Sequence, residues 1–215
     1  KTKRQQILAD TLTPIGVFLR IRNNFKNSVI LESADYHGRE HGYSHIAFDP
    51  IAEFVLNGMS VKQVLPNGKT EEFVLEHPKM AITALKNFAD RFSFKRESGD
   101  SPMANGMFGH ISYDAVQYFE DIQIQGKNEE TEIPSIHYFV YKYVVAINHF
   151  NNQMTCYAHS YDGSEPSLDT VQHLLGMPHY AVNAFELVGE EKSNLSDEQI
   201  KGIVETCIKH CLRGD

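Results

Sequence analysis

Between residues 27 and 75 the chain runs through short β-branched and aromatic segments that only turns separate. The segment 27–33 (NSVILES) reads as a strand bounded by polar residues, and a glycine-bearing loop, Tyr36 to Gly42, follows it. Then come Tyr43–Phe48, Ile51–Leu56, Val61–Leu65 and Glu71–Leu75, all strand-like. Asn67-Gly68 is the strongest turn signal, because both residues tolerate the positive φ angles of a tight hairpin. No helical stretch intervenes, so consecutive strands must reverse direction. This is an antiparallel meander and not a βαβ series.

Elsewhere the period changes. Residues 3–12 read as a short helix with Ile7, Leu8 and Leu12 on one face. Thr13-Pro14 then starts a second helix, with Thr as N-cap and Pro at the first helical position. Met80, Ile82, Leu85, Phe88, Ala89 and Phe92 recur at helical spacing within 78–92. Residues 95–104 form a loop, Gly106–Tyr113 a glycine-punctuated apolar segment, and a short helix runs on through Phe119. Residues 121–132 are acidic and polar. Ile136–Phe150 is a long aromatic and β-branched run, which Met154–Ser160 can pair with across Asn151-Asn152. A helix at 166–176 and a strand at 183–188 come next. At the end, Ser196 and Gln199 spell a capping box, and Ile200, Ile203, Val204, Cys207, Ile208, Cys211 and Leu212 form an apolar stripe. Such a stripe needs a cover, which predicts that the polypeptide continues past Asp215. With 215 residues and 41% hydrophobic content, the result is an α+β globular unit.

Twenty basic against 28 acidic residues give a net charge of −8. A nucleic acid or an anionic membrane surface wants a basic face, so neither is expected as a partner. No apolar run approaches the ~20 residues that span a bilayer. Cys156, Cys207 and Cys211 form neither an even set nor a CxxC motif, and read as reduced thiols of a cytoplasmic protein.

Few motifs carry chemistry. His37, Glu40 and His41 match an H-x-x-E-H zinc pattern, but that pattern needs both histidines on one helix, and Gly38 and Gly42 mark a loop. His45 repeats the four-residue spacing from the next strand. Arg213-Gly214-Asp215 reads as a glycine C-cap with flanking charges. Cys207 and Cys211 read as buried small hydrophobes on a helix face. Gly106-Met-Phe-Gly109 lacks the spacing and the lysine of a phosphate loop. Its glycines mark a bulge or a close backbone approach. The residues alone do not name a reaction.

Taken together, five segments resemble one family. Residues 10–20 (DTLTPIGVFLR) resemble the opening helix of anthranilate synthase component I, among the chorismate-utilising enzymes. Residues 29–33 (VILES) resemble its LLES segment, and 42–50 (GYSHIAFDP) its GRYSFIGxxP segment. Residues 106–114 (GMFGHISYD) with 116–120 (VQYFE) resemble GGxxGYxxYDxVRYFE, and 196–215 the linker helix that ends RAGD. Gly42 stands where the family usually has Arg, and Asn105-Gly106 replaces a glycine pair.

The resemblance implies antiparallel β-sheets packed face to face with flanking helices, as in the N-terminal half of that fold. Residues 1–195 would be the N-terminal domain, and 196–215 the start of a linker helix into a chorismate-binding half. The whole enzyme would be a lyase that converts chorismate and ammonia to anthranilate and pyruvate. Magnesium would act at a site outside this chain, and a glutaminase subunit would supply the ammonia. No catalytic residue would lie in this chain. The N-terminal half would carry part of a feedback site for L-tryptophan, formed by Leu31, Glu32, Ser33, Tyr43 and Ser44. The first three offer an apolar wall, a carboxylate for the ligand ammonium and a hydroxyl. Two other readings stay open: aminodeoxychorismate synthase component I, and a stand-alone ligand-binding module without chemistry.

Overall fold

The computed structural model describes residues 1–32, 42–122, 133–177, 184, 186, 188–189 and 192–214. The chain divides into two compact units, Lys1–Ala181 and Val182–Asp215.

The first unit is built on one antiparallel sheet. Its spine is two long strands, β3 (Tyr43–Asn57) and β7 (Ile136–Asn148), paired along their length. The other strands are β1 (Thr2–Leu8), β2 (Val29–Leu31), β4 (Ser60–Val64), β5 (Thr70–Val74), β6 (Met107–Ile111) and β8 (Gln153–His159). The order is β1-β8-β7-β3-β4-β5, with β2 added to β3 and β6 added to β7. Each spine strand therefore changes neighbour partway along. The Tyr43 end of β3 pairs with β2 and its Asn57 end with β4, while β7 pairs with β8 at one end and β6 at the other. The register of the spine shifts between Pro50 and Ala52. Pro50 has no N–H for the ladder, and Asp49 before it sits at φ +60°. A bulge of this kind sharpens the local twist. The two runs that the sequence offers as separate strands are thus one strand carried through a bulge.

Separate cores form on either side of the bulge. At the Tyr43 end, Ile46, Phe48, Tyr143, Val145 and Ile147 pack under α1 (Pro14–Arg22) and α3 (Asp169–Gly176), through Val17, Ile21, Val171 and Leu174. Thr13 caps α1 as its sequence requires, with Oγ1 accepting from the Gly16 N–H at 3.0 Å. Beyond the bulge, Ala52, Phe54, Leu56, Val61, Ile136 and Val140 pack against α2 (Met80–Ala89) and a 3-10 helix, Tyr113–Tyr118. A third cluster joins Ala47, Ala104, Phe108, Tyr141, Val144, Ala146 and Tyr157.

The expected hairpins are present. Gly68 takes φ +78° between β4 and β5, and Asn152 takes φ +52° between β7 and β8. Two expectations fail. The helix read over 3–12 is strand β1, because the free edge of β8 offers a ladder from Thr2↔His159 to Leu8↔Gln153. Cys207 and Cys211, expected as buried, are exposed, whereas Cys156 is buried and burial pushes its thiol up to about 12. The strand expected at 183–188 falls largely outside the described residues.

The second unit is described by its helix α4 (Asp197–Arg213). Its capping box is complete: Ser196 Oγ accepts from the Gln199 N–H at 3.3 Å, and Gln199 Oε1 accepts from the Ser196 N–H at 2.8 Å. Gly214 closes it at φ +81°. No residue of α4 is buried. Among the described residues no helix is long and apolar enough to cross a membrane.

Candidate functional site

The residues singled out for an effector lie on β2, on the start of β3 and between them. β2 is only three residues long, and its register fixes what faces what: Val29↔Ala47, Ile30↔Ile46, Leu31↔His45. Residues directly opposite in an antiparallel pair point to the same face. Leu31 and His45 therefore share a face. Tyr43, two residues from His45 along β3, shares it too, and the Tyr43 and His45 rings stack at 5.7 Å with 30° between their planes. Leu31 is 44% exposed and Tyr43 half-buried, so this face is open to solvent at its edge.

Ser44 lies elsewhere. It alternates with Tyr43 and His45, so it points to the opposite face, that of Ile46 and Phe48. It is fully buried, and its hydroxyl lies 2.8 Å from His149 Nε2. Glu32 is exposed just past the end of β2. Ser33 lies outside the described residues, as do His37, Glu40 and His41. The structure thus brings Leu31, Tyr43 and Glu32 to one strand end and directs Ser44 inward.

Onto this face packs a buried polar network that sequence spacing did not reveal. His45 is 5% exposed, and its Nε2 lies 2.6 Å from Ser101 Oγ. The Ser101 N–H donates to Tyr157 Oη at 3.0 Å. Next to Ser101, Asp100 accepts from Arg4 Nε at 2.8 Å, from Arg4 Nη2 at 3.0 Å and from the Glu97 N–H at 2.7 Å. Burial opposes ionisation of Asp100, but Arg4 and the Glu97 N–H outweigh it and hold the carboxyl below its usual range. Arg4 also lies over the Phe94 ring, 5.4 Å from its centroid.

His159 fastens the other end of the loop. Its Nε2 lies 3.0 Å from the Ala104 carbonyl oxygen, which can only accept. Nε2 therefore carries the hydrogen, and Nδ1, 3.0 Å from Thr2 Oγ1, accepts. Burial lowers His45 and His159 to about 4 each, so both rings are neutral at pH 7. Residues 97–104 are thus tied to β1, β3 and β8 by side chains. The arrangement offers no acid–base pair poised near neutrality. It presents Leu31 and Tyr43 on one face, with the exposed Glu32 just past the end of β2. Among the described residues, no three His, Cys, Asp or Glu side chains converge so as to hold a metal ion.

The profile of the chorismate binding enzyme family matches residues 27–215. Anthranilate synthase component 1 of Lactococcus lactis is 28% identical over 68% of this chain and 30% of its own length. That of Acinetobacter calcoaceticus is 24% identical over 92% of this chain and 42% of its own. The crystal structure of anthranilate synthase component I from Streptococcus pneumoniae superposes with a TM-score of 0.55 at 23% identity, over 98% of this chain and 46% of that one. The antiparallel sheet with its flanking helices is therefore a known arrangement, and this chain spans less than half the length of the relatives it matches. On a family match that covers all but its first 26 residues, the chain belongs to the chorismate binding enzymes.

Proposed function

We propose that this chain is the N-terminal, regulatory part of an anthranilate synthase component I. The observations that carry the reading are the nature of the two curated relatives named above, each an anthranilate synthase component 1 of which this chain covers only 30–42%, and the order of the motifs, which resembles that of the N-terminal half. In this reading the whole cytoplasmic enzyme is a lyase that converts chorismate and ammonia to anthranilate and pyruvate. A C-terminal half holds chorismate and the magnesium that offsets carboxylate charge, and a glutaminase subunit delivers ammonia. No catalytic residue lies in this chain, whose part in the reaction is feedback by L-tryptophan.

The chain's own residues give that role a physical form. Leu31 and Tyr43 supply an apolar and aromatic wall. Glu32, exposed at the end of β2, supplies a carboxylate for the amino-acid ammonium. Ser33 supplies a hydroxyl, and Ser44 supports the strand from behind. A charge-assisted hydrogen bond contributes ~1.5–3 kcal/mol, and each ~1.4 kcal/mol is tenfold in affinity. An effector that touches only this face can change activity solely through the difference in its affinity for two states of the enzyme.

The test uses the full-length enzyme. Glu32→Ala and Ser33→Ala should each raise the tryptophan concentration for half-inhibition roughly ten- to a hundredfold, while chorismate turnover stays near that of the parent. The isolated chain should form no fluorescent anthranilate from chorismate, ammonia and magnesium. Inhibition curves unchanged in both variants would remove the effector site from this strand pair. Turnover that copurifies with the isolated chain would overturn its non-catalytic role.

A further inference from the structure

We propose that His45 is a positioning and specificity-setting residue of the effector face: buried and pinned by Ser101, it fixes the ring of Tyr43, against which an aromatic amino acid lies. The proposal rests on reading the β2–β3 pair as the effector site, and goes beyond it by naming a residue that the strand motif does not single out.

Three observations meet at His45. It sits directly across from Leu31, so the two side chains adjoin on one face. It stacks on Tyr43 at 5.7 Å, which orients the one aromatic ring of the expected site. It is held by the loop packed over it, with Nε2 2.6 Å from Ser101 Oγ. Ser101 is in turn fixed by its N–H to Tyr157 Oη and by an acceptor bond from the Met103 N–H at 3.3 Å. The imidazole therefore has little freedom to rotate. A surface already ordered before binding loses less entropy when the ligand arrives. Aromatic rings also prefer offset or edge-on contact, so the set angle of the Tyr43–His45 stack favours some ring shapes over others. The segment that this strand resembles, YSF, has an apolar ring at the same place; the imidazole keeps the ring and adds the pin.

Full-length enzyme with His45→Ala, His45→Phe and Ser101→Ala is compared with Glu32→Ala. The readouts are half-inhibition by L-tryptophan, the ratio of that value to half-inhibition by L-phenylalanine, and kcat and KM for chorismate. His45→Ala should raise the tryptophan value roughly two- to tenfold and bring the two amino acids closer together. His45→Phe should restore most of the affinity, because it returns the ring. Ser101→Ala should weaken inhibition less than His45→Ala, and kcat and KM should stay near parent values in all three. Should His45→Ala not fold, the milder Ser101→Ala decides alone. Unchanged inhibition in the His45 and Ser101 variants while Glu32→Ala shifts it overturns this inference and leaves the effector site standing. Unchanged inhibition in all of them overturns both. A parallel loss of kcat and inhibition would show His45 to be structural only.

Discussion

A Cβ atom placed on Gly109 would lie 1.9 Å from the carbonyl oxygen of His137 on the neighbouring strand, and 2.7 Å from the Cα of Tyr138. Gly109 and Tyr138 face each other in the β6–β7 register, so only a residue without a side chain lets the two backbones come this close. The atoms in the way are main chain and cannot swing aside. Gly109→Ala should cost about 3 kcal/mol, the upper end of the overpacking range. Urea unfolding of the variant checks this. By contrast, Gly106→Ala, where nothing lies within 4 Å, should be near neutral. Equal stability of the two variants would contradict the close approach.

The buried histidines predict acid sensitivity. Unfolded, each takes up a proton near its ordinary value of 6.5; folded, His45 and His159 do so only near 4. Between these values the unfolded chain binds more protons, so stability rises with pH across that window and is lost as pH falls from 6.5 toward 4. At the acid end the effect is roughly 3 kcal/mol per histidine. Thermal unfolding from pH 4 to pH 7 should show this slope, and His159→Gln should flatten part of it. A parent profile flat across the window would show that the rings are not held neutral.

Arg4 and Asp100 tie β1 to the loop before Ser101. The Asp100 side chain is 3% exposed and that of Glu97, the other acidic partner of Arg4, is 58% exposed. Removing Arg4 leaves a buried carboxylate unpaired, and Arg4→Ala should cost about 3 kcal/mol. Glu97→Ala removes an exposed partner and should cost less than about 1 kcal/mol. Because the folded Asp100 carboxyl titrates below its ordinary 3.8, its contribution is present above that value and is lost as pH falls through the folded one. Chemical denaturation of the two variants at neutral pH decides the order.

The stripe on α4 predicts association. Ile200, Ile203, Val204 and Ile208 are each 43–52% exposed, and exposed apolar surface of this kind drives contact between molecules. Light scattering of this chain should show apparent mass rising with concentration, and Ile203→Lys with Ile208→Lys should suppress the rise. A monodisperse monomer at high concentration would show that the stripe is inert.

What could be read from residues alone was local. Thr13 and Pro14 start a helix, Asn67-Gly68 turns a hairpin, and Ser196 with Gln199 caps α4, because each of these acts within four residues of chain. Gly109 was recognisable as a close approach for the same reason: a glycine in an apolar strand has few other uses. β1 was not legible. Residues 2–8 (TKRQQIL) are mostly helix formers by local preference and become a strand because β8, some 150 positions away, offers an open edge. The site divides in the same way. The grouping of Leu31, Glu32 and Tyr43 in the proposed site comes from their nearness in the chain and from the motifs they resemble. That His45 shares the face of Leu31 and Tyr43, while Ser44 turns into the core, follows from the pairing of β2 with β3. That Ser101 pins His45 follows only from the path of a loop 56 residues downstream. Chain spacing fixes what lies within a turn or a strand. Register and loop placement are set by burial of distant side chains against one another, and so only the folded sheet decides which residues share a face.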